Sequence, residues 1–369
     1  MKIKSGILAL GAAAGAAVAA KKGKEFYDNQ YQMMKGVTRL DENIYLLDYT
    51  CDYDLDGMLE FGASNVGEML AYLSKTTLFG VNAFKHGNGG FACSSFNALN
   101  ERGEHIYGRN FDYKKAPCMV VWTHPEHGYA SVAVADCNFM LYGDYNKPVS
   151  RANRLQTLMA PYCCMDGINE KGLAIGILEL KTKATKQQTG KKPISTTVAI
   201  RAILDKCATV DEAIELLKSY DMHDAFFCCY HYQITDAAGK SAVIEYVNNE
   251  MRLIYPEPTA NGGHPCQCIT NFFLSEDGDN SKGFGQDRYE AMTQALAESG
   301  GTLSDGEAME LLEKVQLNYR HEKYPWQVTT LWSAVYNSNA LTAQIAAGLD
   351  YSKVYEFKVD SPCAAERIK

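Results

Sequence analysis

Residues 93–112 constrain this chain more than any other stretch. Cys93-Ser94-Ser95-Phe96-Asn97-Ala98 is apolar and β-prone, Asn100-Glu101-Arg102-Gly103 supplies turn chemistry, and Ile106-Tyr107-Gly108-Arg109-Asn110-Phe111-Asp112 resumes an extended pattern, which predicts a β-hairpin. Arg109 and Asp112 follow Cys93 by 16 and 19 positions, so the fold-back brings both beside it. A thiol between a fixed cation and a fixed carboxylate is a candidate activated nucleophile, because nearby positive charge favours thiolate. Alone, Arg109 or Asp112 would read as half of a surface salt bridge; the spacing argues for chemistry.

After the hairpin, β and α signals alternate without a repeated unit. Strands are expected over 119–123, 129–134, 172–180, 232–235, 241–246, 251–255, 266–271, 328–336 and 354–359. Helices are expected over 196–207, after the capping pattern Thr209-x-x-Glu212, over 288–298, and after a second pattern, Ser304-x-x-Glu307. Strand pairs interleaved with helix pairs fit two antiparallel sheets covered by helices, an α+β class. At 369 residues, with 46% hydrophobic and 22% charged, the chain can bury a substantial core. A net charge of −8 without a basic run argues against a nucleic-acid partner. The 23 Tyr and 14 Phe suit an apolar pocket as well as ordinary core packing.

The N-terminus reads differently. Met1-Lys2-Ile3-Lys4 is basic, Ile7 to Ala20 carries no charge, and Lys21-Lys22-Gly23-Lys24 closes the run. Its length suits a signal peptide and falls short of the roughly 20 residues of a membrane span. Residues 1–24 are therefore expected to be a signal peptide or membrane anchor, with an extracytoplasmic or membrane-anchored protein as the consequence; a cytoplasmic amphiphilic tail is the alternative. The 12 cysteines lack the spacing of a small disulfide scaffold, so reduced, mostly buried thiols are expected. His264-Pro265-Cys266-Gln267-Cys268 lacks the gap and the second half of a zinc site, and neither metal nor cofactor is expected. Residues 25–92 are expected to be a helical pro-region or accessory segment, with a short strand at Ile44–Tyr49 and a helical pattern from Leu55 to Lys75. The glycine-rich Lys85–Ala92 then leads into Cys93.

Residues 93–112 also carry a resemblance. Cys-Ser-x-Phe followed at these spacings by Gly108-Arg109-Asn110-Phe111-Asp112 resembles the linear-amide hydrolases of the N-terminal-nucleophile superfamily, the group of choloylglycine (bile salt) hydrolases, penicillin V acylases, N-acylethanolamine acid amidase and acid ceramidase. Asp166 to Ile175, Ile269-Thr270-Asn271, Gly285-Gln286-Asp287-Arg288-Tyr289 and Thr330 to Tyr336 are similar to later blocks of that family, in its order. The resemblance implies a four-layer α-β-β-α sandwich over 93–369 and cleavage at Ala92-Cys93. It also implies a small-molecule N-acyl amide as substrate, and it leaves homo-oligomerisation open.

Amide hydrolysis needs a nucleophile, a base, a proton for the leaving amine and donors for the oxyanion. Once Ala92-Cys93 is broken, the α-amine of Cys93, with a reference pKa of about 8, can act as base and then acid beside its own thiol. Asp112 would hold that ammonium and Arg109 would stabilise the thiolate. By the resemblance, Asn271 is the side-chain donor of the oxyanion hole and Arg288 a pocket arginine. Glu179 stands where bile salt hydrolases carry asparagine and many penicillin V acylases carry tyrosine, and is more like the mammalian amidases. Its backbone N–H is expected to complete the oxyanion hole, and its carboxylate to disfavour an anionic leaving amine or to assist self-cleavage. Two other readings remain: a bile salt hydrolase or penicillin V acylase, or an uncleaved, non-catalytic binding protein on the same fold.

Overall fold

The expected hairpin forms. Ala92–Leu99 pairs antiparallel with His105–Lys114, Cys93 opposite Phe111 and Ala92 opposite Asp112. The Asn100 side-chain oxygen closes the turn by accepting from the backbone N–H groups of Arg102 and Glu104, the local bonding that makes asparagine a turn former. The computed structural model describes residues 23–24, 27–78, 80–85, 91–141, 151–225, 228–258, 262–320 and 327–369. Nearly all of the expected signal or anchor segment, and residues 86–90 of the glycine-rich lead, lie outside these. Among the described residues no helix is long and apolar enough to cross a membrane.

This hairpin sits in an eight-stranded sheet ordered Cys268–Ile269, Ala92–Leu99, His105–Lys114, Gln327–Asn337, Thr342–Ala347, Val354–Lys358, Glu366–Arg367, with Asn318–Arg320 paired to the outer part of Gln327–Asn337. A nine-stranded sheet runs Thr38–Asp41, Ile44–Tyr49, Cys118–Thr123, Ser131–Asp136, Cys164–Asn169, Ala174–Lys183, Cys228–Thr235, Ser241–Val247, Glu250–Ile254. The sheets face each other, Ala92–Leu99 against Ala174–Lys183. Helices Gln286–Glu298 and Asp305–Lys314 cover the outer face of the first sheet, and Thr196–Lys206 covers that of the second. The four-layer α-β-β-α sandwich implied by the resemblance is the observed architecture.

Why these strands lie inside is plain from their side chains. Cys118–Thr123, Ser131–Asp136 and Cys164–Asn169 are buried at every position, as strands covered on both faces must be. Both capping patterns form: Thr209 accepts from the Glu212 N–H, and Ser304 with Glu307 makes the reciprocal box. Ahead of Cys93, Leu55–Phe61 and Val66–Thr77 are helices, separated at Gly62, which ends the first at φ 72°. Ile44–Tyr49 runs parallel beside Cys118–Thr123, with Leu47 fully buried. The segment ahead of Cys93 is thus built into the second sheet and its core.

Candidate active site

Two strands, a strand end and a helix start converge on Cys93, which is wholly buried. Arg109, also wholly buried, reaches it across the hairpin: Nη2 lies 3.4 Å from Cys93 Sγ while Nη1 donates to the Met165 carbonyl at 2.8 Å. Its Nε pairs with Asp166 Oδ2 at 2.9 Å as an ion pair, the angle falling short of a hydrogen bond. Asp166 in turn accepts from Trp332 Nε1 at 3.0 Å and from the Tyr336 hydroxyl. Gly176 leaves room for this arrangement, because a Cβ there would stand 2.6 Å from Arg109 Nη1 and 2.4 Å from the Tyr107 hydroxyl.

Asp112 and Arg288 form a second buried pair. Asp112 Oδ2 lies 3.1 Å from Arg288 Nη1, and Oδ1 accepts from the Thr330 hydroxyl at 2.5 Å. The same Arg288 nitrogen donates to the Cys93 carbonyl at 2.8 Å, and Nη2 donates to Asn271 Oδ1 at 2.8 Å. Arg288 is in the first turn of Gln286–Glu298, entered through Gly285 at φ 89°. Side chains rarely adopt that conformation, and a Cβ at 285 would meet Arg288 Nη2 at 2.6 Å.

Asn271 follows the short strand Cys268–Ile269. Its Oδ1 also accepts from the Cys93 backbone nitrogen at 3.0 Å, while Nδ2 donates to the Glu179 carbonyl at 2.9 Å. Exchanging the amide's oxygen and nitrogen would set donor against donor and acceptor against acceptor, so this orientation is fixed by its neighbours. One Nδ2 hydrogen remains after the Glu179 bond. Glu179, 3% exposed, accepts through its carboxylate from the Phe91 N–H.

Burial dominates the electrostatics. It pushes the Cys93 thiol up to about 12, against Arg109, which pulls down. It raises Asp112 to about 6, against Arg288, Thr330 and Arg109. Glu179 is likewise raised by burial, against the Phe91 N–H, the Cys228 thiol and Lys181.

Cys93, Arg109, Asp112, Glu179, Asn271 and Arg288 therefore lie in one buried cluster. In the uncleaved chain the Cys93 amide N–H donates to Asn271 Oδ1, and the Asp112 carboxylate is engaged by Arg288 and Thr330. Glu179 is buried beside residues 91–93, not exposed on its strand. Sequence reasoning assigned no role to Asp166 or Thr330. A lone carboxylate inside the apolar run Cys164–Ile168 was the available signal for Asp166, since a buried charge requires a partner. Among the described residues no cluster of side chains is suited to hold a metal.

A family profile described as acyl-coenzyme A:6-aminopenicillanic acid acyl-transferase matches residues 99–350, beginning six positions after Cys93. A penicillin V acylase from Pectobacterium atrosepticum is 27% identical over 175 residues, 43% of this chain and 45% of that protein, so the match spans less than half the length of that curated relative. Two solved structures of conjugated bile acid hydrolase variants from Clostridium perfringens superpose with TM-scores of 0.52 and 0.51 at 14% identity. Each covers 75% of this chain, and 96% and 97% of the respective hydrolase chain. At that identity they establish the shared fold.

Proposed function

The chain belongs to the acyl-coenzyme A:6-aminopenicillanic acid acyl-transferase family, and on that premise we propose that it is a cysteine amidohydrolase acting on linear N-acyl amides after cleavage of its own Ala92-Cys93 bond. The observation that carries this reading is the pairing at one residue: Cys93 Sγ lies 3.4 Å from Arg109 Nη2 while Cys93 N lies 3.0 Å from Asn271 Oδ1. Nucleophile and prospective base belong to the same residue, and each already has a partner.

In the uncleaved chain the Cys93 nitrogen is an amide and has no basicity to offer. Attack of Cys93 Sγ on the Ala92 carbonyl carbon would transfer the acyl group from nitrogen to sulfur. Water would then hydrolyse that thioester, leaving a carboxylate on Ala92 and a free amine on Cys93. In later turnovers the amine takes the thiol proton, sulfur attacks the substrate carbonyl, and the ammonium returns the proton to the departing amine. Water releases the acid from the second thioester. Arg109 supports the thiolate, and Asp112 balances the charge of Arg288.

Oxyanion donors are available at one edge. In a strand the N–H and C=O of a residue point the same way, so the Glu179 N–H faces the side on which its carbonyl meets Asn271 Nδ2. That N–H and the remaining Nδ2 hydrogen are the proposed pair. The test is a Cys93→Ala substitution, assayed by intact mass and by turnover of an amide panel that includes penicillin V and a conjugated bile acid. The expected outcome is an uncleaved chain without hydrolysis; wild-type turnover in this variant would end the nucleophile assignment.

A further inference from the structure

The acyl half of the first bond to be cut is already seated in the structure. The scissile amide joins Ala92, on the acyl side, to Cys93, on the amine side. Phe91 is 5% exposed, with its ring 4.9 Å from Phe111, 6.3 Å from Tyr113 and 5.5 Å from Tyr230, centroid to centroid. Its N–H donates to the Glu179 carboxylate. Tyr230 is the cross-strand partner of Glu179, and its buried hydroxyl has no hydrogen-bond partner among the described residues. A ring, a donor and an orphaned hydroxyl therefore define one slot on the acyl side of the scissile carbonyl.

We propose that Phe111, Tyr113, Tyr230 and Glu179 form the acyl site of the mature enzyme, and that its preferred substrates are amides whose acyl half carries an aromatic ring and an N–H donor at the spacing of a Phe-Ala dipeptide. The inference rests on the proposed amidohydrolase reading and deepens it. Its chemical ground is that the self-cleavage intermediate and the substrate intermediate are the same species, an acyl thioester on Cys93 Sγ. In both, the bond from acyl carbon to nitrogen breaks, the bond from acyl carbon to sulfur forms, and water later restores thiol and carboxylic acid. Whatever holds the acyl half in the first reaction stands ready to hold it in the next.

Glu179 takes on a different task from the one its position suggested in the sequence. In this reading its carboxylate meets the acyl half of the bond through the position of the Phe91 N–H. A donor on the acyl chain would take the place of the Phe91 N–H on a buried carboxylate whose other partners are the Cys228 thiol and Lys181, a basis for discrimination because the analogue lacking the donor leaves that acceptor one bond short.

The test uses the cleaved enzyme and three amides of aminomethylcoumarin: acetyl-Phe-Ala, acetyl-Ala-Ala, and a straight-chain fatty acyl of similar length. The expected kcat/KM for acetyl-Phe-Ala exceeds both others by about tenfold or more, the scale of one filled apolar pocket. Tyr230→Leu should shrink that ratio, with the melting curve reporting whether the variant is folded. A wild-type ratio near one, or a ratio unmoved in folded Tyr230→Leu, would overturn the proposal. Phe91→Ala provides an arm outside the mature site. It should slow self-cleavage yet leave the substrate ratio of the cleaved enzyme unchanged, and wild-type cleavage kinetics would count against the slot. Calorimetric binding of the free acid acetyl-Phe-Ala against acetyl-Ala-Ala needs no turnover. Selective binding by a chain that hydrolyses none of the amides would keep the slot and sink the amidohydrolase reading, whereas turnover without any selectivity would do the reverse.

Discussion

At the scale of single residues, the proposed cleavage would change the state of Cys93. With its nitrogen acylated and its thiol pushed up to about 12 by burial, the uncleaved residue has only a small thiolate fraction at neutral pH. That fraction grows tenfold per pH unit well below the pKa, so self-cleavage of freshly translated chain should accelerate by roughly tenfold per unit between about pH 7 and pH 9. Band intensities over time at several pH values check this, and a flat or bell-shaped profile would point to a separate general base. Asn271 has its amide fixed by the Cys93 nitrogen, Arg288 and Glu179. Asn271→Ala in cleaved enzyme should lower kcat by on the order of 10² to 10³, the usual cost of removing one preorganised donor. Near-wild-type kcat with an unchanged melting curve would reduce Asn271 to a structural residue.

At the scale of elements, the loop that carries Asn271 is pinned from the second sheet. His231 Nε2 donates to the Thr270 carbonyl at 2.7 Å, and Nδ1 lies 3.1 Å from Glu245. Glu245 also accepts from the backbone N–H groups of Leu274 and Ser275 and from the Ser275 hydroxyl. Burial would raise its pKa, but His231 and these donors outweigh burial and hold the carboxyl below its usual range. Glu245→Ala would leave buried donors unpaired at about 1 to 3 kcal/mol each. The expected outcome is a lower Tm together with a fall in kcat larger than any rise in KM, because the proposed oxyanion donor would be displaced while the proposed acyl slot would not. An unchanged kcat in the folded variant would mean that the loop holds its shape without the clamp.

On the scale of the whole molecule, the segment ahead of Cys93 cannot be separated from the remainder of the fold. Ile44, Leu46, Leu47 and Tyr49 are buried against the neighbouring strand Cys118–Thr123. Side chains cross the boundary as well: Tyr49 donates to the Leu158 carbonyl at 2.8 Å, Tyr53 to Asp205 at 2.6 Å, and Tyr162 to the Tyr53 carbonyl at 2.8 Å. Removing the segment would strip the two edge strands Thr38–Asp41 and Ile44–Tyr49 from the nine-stranded sheet and expose core. Cleavage at Ala92-Cys93 should therefore yield two fragments that co-elute in size-exclusion chromatography and part only in denaturant. Elution of the Cys93 fragment alone, still folded, would contradict this.

What the sequence determined by itself was local or periodic. The hairpin at Cys93 was legible because turn chemistry acts within a few residues, and the helix starts at Thr209 and Ser304 because capping is equally short-range. The spacing of Cys93, Arg109 and Asp112 reflects strand register, which a hairpin fixes. The short strand Thr342–Ala347 was not legible, since its alanines carry little β signal even though it pairs with the strands on either side of it in the chain. Only the tertiary structure joined Arg109 to Asp166, Asp112 to Thr330, and Glu179 to the Phe91 N–H. These contacts cross from sheet to sheet or strand to strand over dozens to hundreds of positions, a distance at which no propensity or period carries information. The side of the Ala92-Cys93 bond that meets Glu179 depends on two sheets packed face to face, so the residue's identity was written in the chain and its partner was set by the fold.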